Sequence, residues 1–161
     1  MARSRSDGRD FAARYHLGQQ PESFAALKAD PSLVLNAAHE AIRIGTPIRS
    51  FTRKAARAVE IEGVAIPKGA RVMMLYASAN RDERVFAKPD TFDLTRRNAR
   101  MHIGFGAGIH MCVGMHLALL EIECLALALT RQVDQIEIAT AKPALNNSIC
   151  AYASVAATVT R

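Results

Sequence analysis

No stretch of this 161-residue chain approaches the roughly 18 uninterrupted apolar residues of a membrane-crossing helix. The Arg- and Ser-rich start also lacks the apolar centre of a signal peptide. Together these absences point to a cytosolic (cytoplasmic) protein with no membrane contact. Aromatic residues make up only 6% of the chain, and the net charge of +6 is scattered rather than gathered into a stripe. Nucleic-acid binding favours a concentrated basic track with interleaved aromatics, so no nucleic-acid partner is expected. Three cysteines, an odd number set far apart, do not suggest a disulfide framework. Cys124 lies in an apolar helical segment and Cys150 in a strand-like run, and both read as core residues. Half of the residues are apolar, enough for one modest core, and no internal repeat is found.

The stretch that stands out is 104–114, Gly-Phe-Gly-Ala-Gly-Ile-His-Met-Cys-Val-Gly. It sets Cys112 at the end of a glycine-rich loop, directly before a segment with helical apolar periodicity over about 113–130. Free backbone N–H groups at a helix start favour a thiolate, which is either a nucleophile or a metal ligand. Gly106, Gly108 and Gly114 clear side chains from the backbone around the sulfur, so a flat, bulky group such as a porphyrin can lie against it. Phe105 would then shield the sulfur from water, and His110 would reach a carboxylate on the ring edge. Two other readings stand beside this one. The cysteine is an inert buried residue after a glycine turn, or His110, Cys112 and His116, completed by His102, form a zinc site. A dinucleotide fingerprint is excluded because the third glycine is missing and no βαβ unit surrounds the loop.

The pattern Phe105-x-x-Gly108-x-x-x-Cys112-x-Gly114 resembles the haem-ligand signature of the cytochromes P-450, of the bacterial soluble type. Four fixed residues at ordinary usage recur by chance in a chain of this size about once in a few thousand. The resemblance implies haem b (iron protoporphyrin IX) as cofactor, with the Cys112 thiolate as its axial iron ligand and metal-binding residue. In that family the thiolate's electron donation favours O–O cleavage, hence O2 activation and substrate hydroxylation. Phe105, Gly106, His110 and Gly114 are the accompanying cofactor-binding residues. Arg53 occupies the place where many members carry an arginine that contacts a haem propionate. The implied partners are a ferredoxin or flavodoxin-type electron donor and a small organic substrate.

Along the chain, residues 1–16 read as a disordered tail, and 17–161 as the C-terminal haem-binding part of the family's fold. The fold class is α+β, mostly α. A helix runs from Pro21 to Asp30, and a second, capped by Ser32 with Pro31, continues until Gly45 and Pro47. Glu40 and Arg43 share one face of that second helix. The resemblance makes them the buried, structural Glu-x-x-Arg pair rather than catalytic groups. Strands over 58–61, 64–66 and 71–76 form a small antiparallel sheet, and 79–96 form a turn-rich meander. Thr91 stands where the family often places an arginine or histidine that completes a triad with the helix pair, leaving Arg96 as the candidate substitute. After the Cys loop, Leu117, Leu120, Cys124 and Leu127 recur at helical spacing and suggest a core helix. Strands over 133–138 and 149–159 close the chain.

The family's long central helix, its acid–alcohol pair and its substrate-shaping elements have no counterpart here. The chain is expected to be a truncated remnant or one part of a split protein whose N-terminal half is another polypeptide. By itself it is expected to be inactive in controlled hydroxylation. The alternative is a non-catalytic haem-binding or structural module.

Overall fold

In this computed structural model, residues 19–146 and 149–160 are described. The expected tail at 1–16 lies outside them. Helix α1, Pro21–Ala29, opens with proline in its first turn, where a missing N–H costs nothing, and buries Phe24 and Leu27. Asp30, not Ser32, is the local cap: its carboxylate accepts from the Ser32 N–H at 3.0 Å and heads a single 3-10 turn, Pro31–Leu33. The second helix, α2, follows as Val34–Gly45. Its buried face carries Val34, Ala37, Ala38, Ala41, Ile42 and Ile44 together with Glu40 and Arg43. Thr46 ends it in the left-handed region, φ 34, held by its own hydroxyl on the Arg43 carbonyl at 2.7 Å.

Two separate antiparallel ladders follow, rather than one sheet. Strands β2 (Val59–Ile61) and β3 (Val64–Ile66) form a hairpin whose two-residue turn, Glu62 and Gly63, has positive φ at both positions. That is the turn whose twist matches a tight hairpin. Strand β1, Ser50–Lys54, which is not among the strands expected from the sequence, pairs with β4, Arg71–Leu75, with Arg53 opposite Val72. A short helix, α3, Tyr76–Ala79, leads into the meander.

Helix α4 runs Met115–Gln132, two residues later at each end than its periodicity indicates. The core face is not the expected one. Leu119, Ile122 and Ala126 pack in one cluster with Ala37, Ala38, Ala41 and Ile42 of α2, Phe92 and Leu94 of the meander, and Leu27. Leu117, Leu120 and Cys124 are exposed and Leu127 is half-buried. The helix is apolar nearly all round, so spacing alone fits either face. Small alanines opposite Leu119 and Ile122 let the axes approach and decide which face is covered. Each buried Leu or Ile contributes about 1.5–3 kcal/mol. Strands β5 (Gln135–Pro143) and β6 (Tyr152–Thr160) close the chain as a third antiparallel pair, with register shifts near Ile138 and Lys142. Among the described residues no helix is long and apolar enough to cross a membrane.

Candidate cofactor site

A buried charge network ties the meander to α2. Glu40 and Arg43 are both wholly buried and meet in a two-pronged pair, Nε to Oε2 at 2.7 Å and Nη2 to Oε1 at 2.8 Å. Arg96 donates from Nε to Glu40 Oε1 at 2.8 Å, so it takes the place left by Thr91. Thr91 itself joins through its backbone carbonyl, which accepts from both Arg43 and Arg96. Arg43 also donates to the carbonyls of Asn80 and Pro89 at 2.8 and 2.7 Å, leaving little of either guanidinium unbonded. Burial alone would raise the Glu40 carboxyl. Hydrogen bonds from Arg43, Arg96 and the Asp93 N–H outweigh it and hold the group below its ordinary value.

The Cys loop hangs from this network by contacts that sequence spacing did not show. Asn80, fully buried, donates to Thr46 Oγ1 at 2.9 Å and accepts from the Ile103 N–H at 2.8 Å, joining the end of α2 to the loop's start. The Gly104 N–H donates to His102 Nδ1 at 3.1 Å, and His102 Nε2 lies 3.3 Å from His39 Nδ1 on α2. A Cβ on Gly104 would stand 2.7 Å from Ile42 Cγ2, so the loop can lie this close to α2 only without a side chain there. Gly106, at φ +75, makes the reversal that brings the Cys112 N–H onto the Phe105 carbonyl at 2.9 Å.

Cys112 emerges half-buried in the wall of an open, largely apolar cleft of about 720 Å³. Around it the cleft is lined by Phe105, Gly106 and His110 from the loop, Ile42, Phe51 and Tyr76 from the framework, and Ala144, Ile149 and Ala151 from the β5–β6 side. The far wall is stitched to the segment after α2 by the Ile48–Ile149 bridge and by the Cys150 N–H on the Pro47 carbonyl at 2.7 Å. Phe105 is half-buried, packed on the α2–α4 cluster and 5.6 Å, centre to centre, from the His102 ring. Gly114 caps α4 without lining the cleft, and Cys112 therefore precedes the first helical turn. Arg53 stands two residues beyond Phe51 on the same face of β1, its guanidinium 5.6 Å from the Phe51 ring. Cys150 is half-buried and its sulfur accepts from Arg49 at 3.3 Å.

The zinc reading does not survive this geometry. Among the described residues no three His, Cys, Asp or Glu side chains converge to hold a metal, and His102 is committed to Gly104 and His39. Sequence spacing points to none of His39, Thr46 and Asn80 as parts of the site, and to His102 only as a candidate zinc ligand. Only the Asn80 turn and the position of His102 beside the loop left a trace in the sequence.

The chain's similarities follow the same outline. The family model described as Cytochrome P450 matches residues 30–135. "Cytochrome p450 CYP199A2" of Rhodopseudomonas palustris is 47% identical over 139 residues, covering 86% of this chain and 34% of the relative. Linalool 8-monooxygenase of Pseudomonas putida is 40% identical over 122 residues, covering 76% of this chain and 30% of the relative. Among solved structures, CYP108D1 from Novosphingobium aromaticivorans superposes with a TM-score of 0.89 at 36% identity, covering 95% of this chain and 37% of that one. The chain thus spans about a third of the length of the curated relatives it matches.

Proposed function

Since the chain belongs to the cytochrome P450 family, whose cofactor is haem, we propose that it forms the sulfur-side half of a haem-thiolate monooxygenase site, with Cys112 as the axial iron ligand. The donor set supports this reading. A soft sulfur in an apolar cleft, with no group of three or more ligating side chains around it among the described residues, is a poor site for a bare metal ion. It would suit an iron already held by a macrocycle, to which the chain would add one sulfur ligand. The glycine at 106 and the apolar lining leave room for the flat face of such a ring.

When bound, the haem supplies O2 activation and oxygen insertion into a small organic substrate. The chain's own residues prepare the sulfur for it. The hydrogen bond from the Cys112 N–H to Phe105 wraps the loop around the thiolate, and the half-buried Phe105 ring keeps water from one side. His110, exposed at the cleft, and Arg53, beside Phe51, are the hydrogen-bond donors for the propionate edge. Glu40, Arg43 and Arg96 act at a distance, fixing the meander from which the loop departs. The reading implies a ferredoxin or flavodoxin-type protein as electron donor.

The observation that carries the proposal is the position of the Cys112 sulfur in the wall of that apolar cleft, with no group of three ligating side chains beside it among the described residues. A reduced, carbon monoxide difference spectrum of the chain with haemin tests it, comparing wild type with Cys112→Ala. A strongly red-shifted Soret band that the substitution abolishes is the expected result. A band that persists in the variant, or binding through histidine alone, overturns the assignment. Substrate-dependent consumption of reduced nicotinamide coupled to an oxygenated product separates turnover from a non-catalytic haem module.

A further inference from the structure

Between α2 and the Cys loop lies a histidine pair that the proposed haem site does not use. The backbone fixes its chemistry. A main-chain N–H can only donate, so the Gly104 contact requires His102 Nδ1 to be the bare, accepting nitrogen, and Nε2 carries the hydrogen. That hydrogen points at His39 Nδ1, which must in turn be bare. Both rings are neutral in this arrangement, each in a single tautomer, and the path His39, His102, Gly104, Phe105 ends on the Cys112 N–H.

We propose that His102 is a positioning residue for Cys112: oriented by His39, it anchors the start of the Cys loop to α2 through Gly104 and so holds the sulfur in the cleft. This rests on the reading of Cys112 as the haem-iron ligand for its functional meaning, though the anchoring itself does not. A proton on His102 Nδ1 removes the acceptor for Gly104, and a proton on His39 Nδ1 removes the acceptor for His102. The anchor is therefore sensitive to acid. The groups facing the pair reinforce the neutral state: burial, then His39 and Arg43, lower His102 to about 4, with Glu40 opposing. Burial and Arg100, in the Ala99–Met101 turn, lower His39. Glu40 spends its charge on Arg43 and Arg96 and offers no bond to either ring.

The two ring nitrogens can be tested separately, because an asparagine oxygen can stand in for Nδ1 without titrating. The readout is the rate of Cys112 alkylation by iodoacetamide in the full chain, in a Cys124→Ser, Cys150→Ser background. At pH 7.5, His102→Ala is expected to react about three- to tenfold faster, the value of one lost hydrogen bond. His102→Asn is expected to stay within about twofold of the parent if the Gly104 contact is the working one. Equal rates for all three, or His102→Asn as fast as His102→Ala, would overturn the proposal. Should His102→Ala not fold, the ratio of parent to His102→Asn rates cancels the thiol's own ionisation. That ratio is expected to rise about two- to fivefold between pH 7.5 and 4, where about half of His102 is protonated, and a flat ratio would overturn the proposal. The haem spectrum of Cys112→Ala reports independently on the ligand assignment, so the two readings fail separately.

Discussion

Arg96 reaches Glu40 across 56 positions of sequence and bonds to the same Oε1 that accepts from Arg43 Nη2, 2.8 Å in each case. The carboxylate is thereby shared between two guanidiniums in a site closed to water, with Arg96 only 6% exposed. A buried carboxylate so placed is stable only while its partners remain.

Arg96→Ala is accordingly expected to cost about 3–5 kcal/mol in urea unfolding, because it strips one cation from Glu40 and two donors from the carbonyls of Ala87 and Lys88. Arg96→Lys should recover less than half of that, since one ammonium cannot serve Glu40 and the carbonyls at once. A loss under about 1 kcal/mol for Arg96→Ala would place the pair among ordinary surface bridges.

Asn80→Ala should destabilise by about 1–3 kcal/mol, removing the donor to the Thr46 hydroxyl oxygen and leaving the Ile103 N–H without its acceptor. Because Ile103 opens the Cys loop, the same variant is expected to weaken haem retention in gel filtration, whereas a surface substitution such as Glu60→Ala should leave both quantities unchanged.

Gly104→Ala forces a methyl to 2.7 Å from Ile42 Cγ2 and is expected to cost about 1–3 kcal/mol. The double variant with Ile42→Ala removes the obstructing atom. Its coupling energy in a double-mutant cycle should be favourable by at least about 0.5 kcal/mol, and strict additivity would argue against the clash.

Acid should unfold this chain earlier than ordinary histidine and carboxylate titration would. His102 is lowered to about 4 from 6.5, chiefly by burial, so the unfolded chain takes up its proton first. Its contribution is full above about pH 6.5 and is lost as the pH falls toward 4, on the order of 2–3 kcal/mol. Glu40, also lowered, adds a loss in the same direction below its ordinary range. Melting temperatures measured from pH 7.5 to 5 should therefore decline, and His102→Asn should flatten that decline.

Local chemistry made much of this protein legible. Proline and glycine punctuation bounded α1, α2 and the β2–β3 hairpin, and the Cys112 motif, with its bracketing glycines, marked the candidate cofactor loop. The Glu40–Arg43 spacing told which two side chains share a helix face, since a three-residue step is a property of the helix itself. Strand β1 escaped because Ser50–Lys54 has no alternating apolar pattern and gains its partner, β4, only across the intervening hairpin. The sequence by itself determined the family, the ligand candidate and the order of the elements other than β1. Only the tertiary structure decided which face of the largely apolar α4 is buried, that Arg96 completes the Glu40 network, and that His39, Asn80 and His102 bond to the loop or to one another beside it. Those choices depend on which groups meet across tens of residues in a water-free interior, where each donor must find an acceptor, and no local periodicity encodes that meeting.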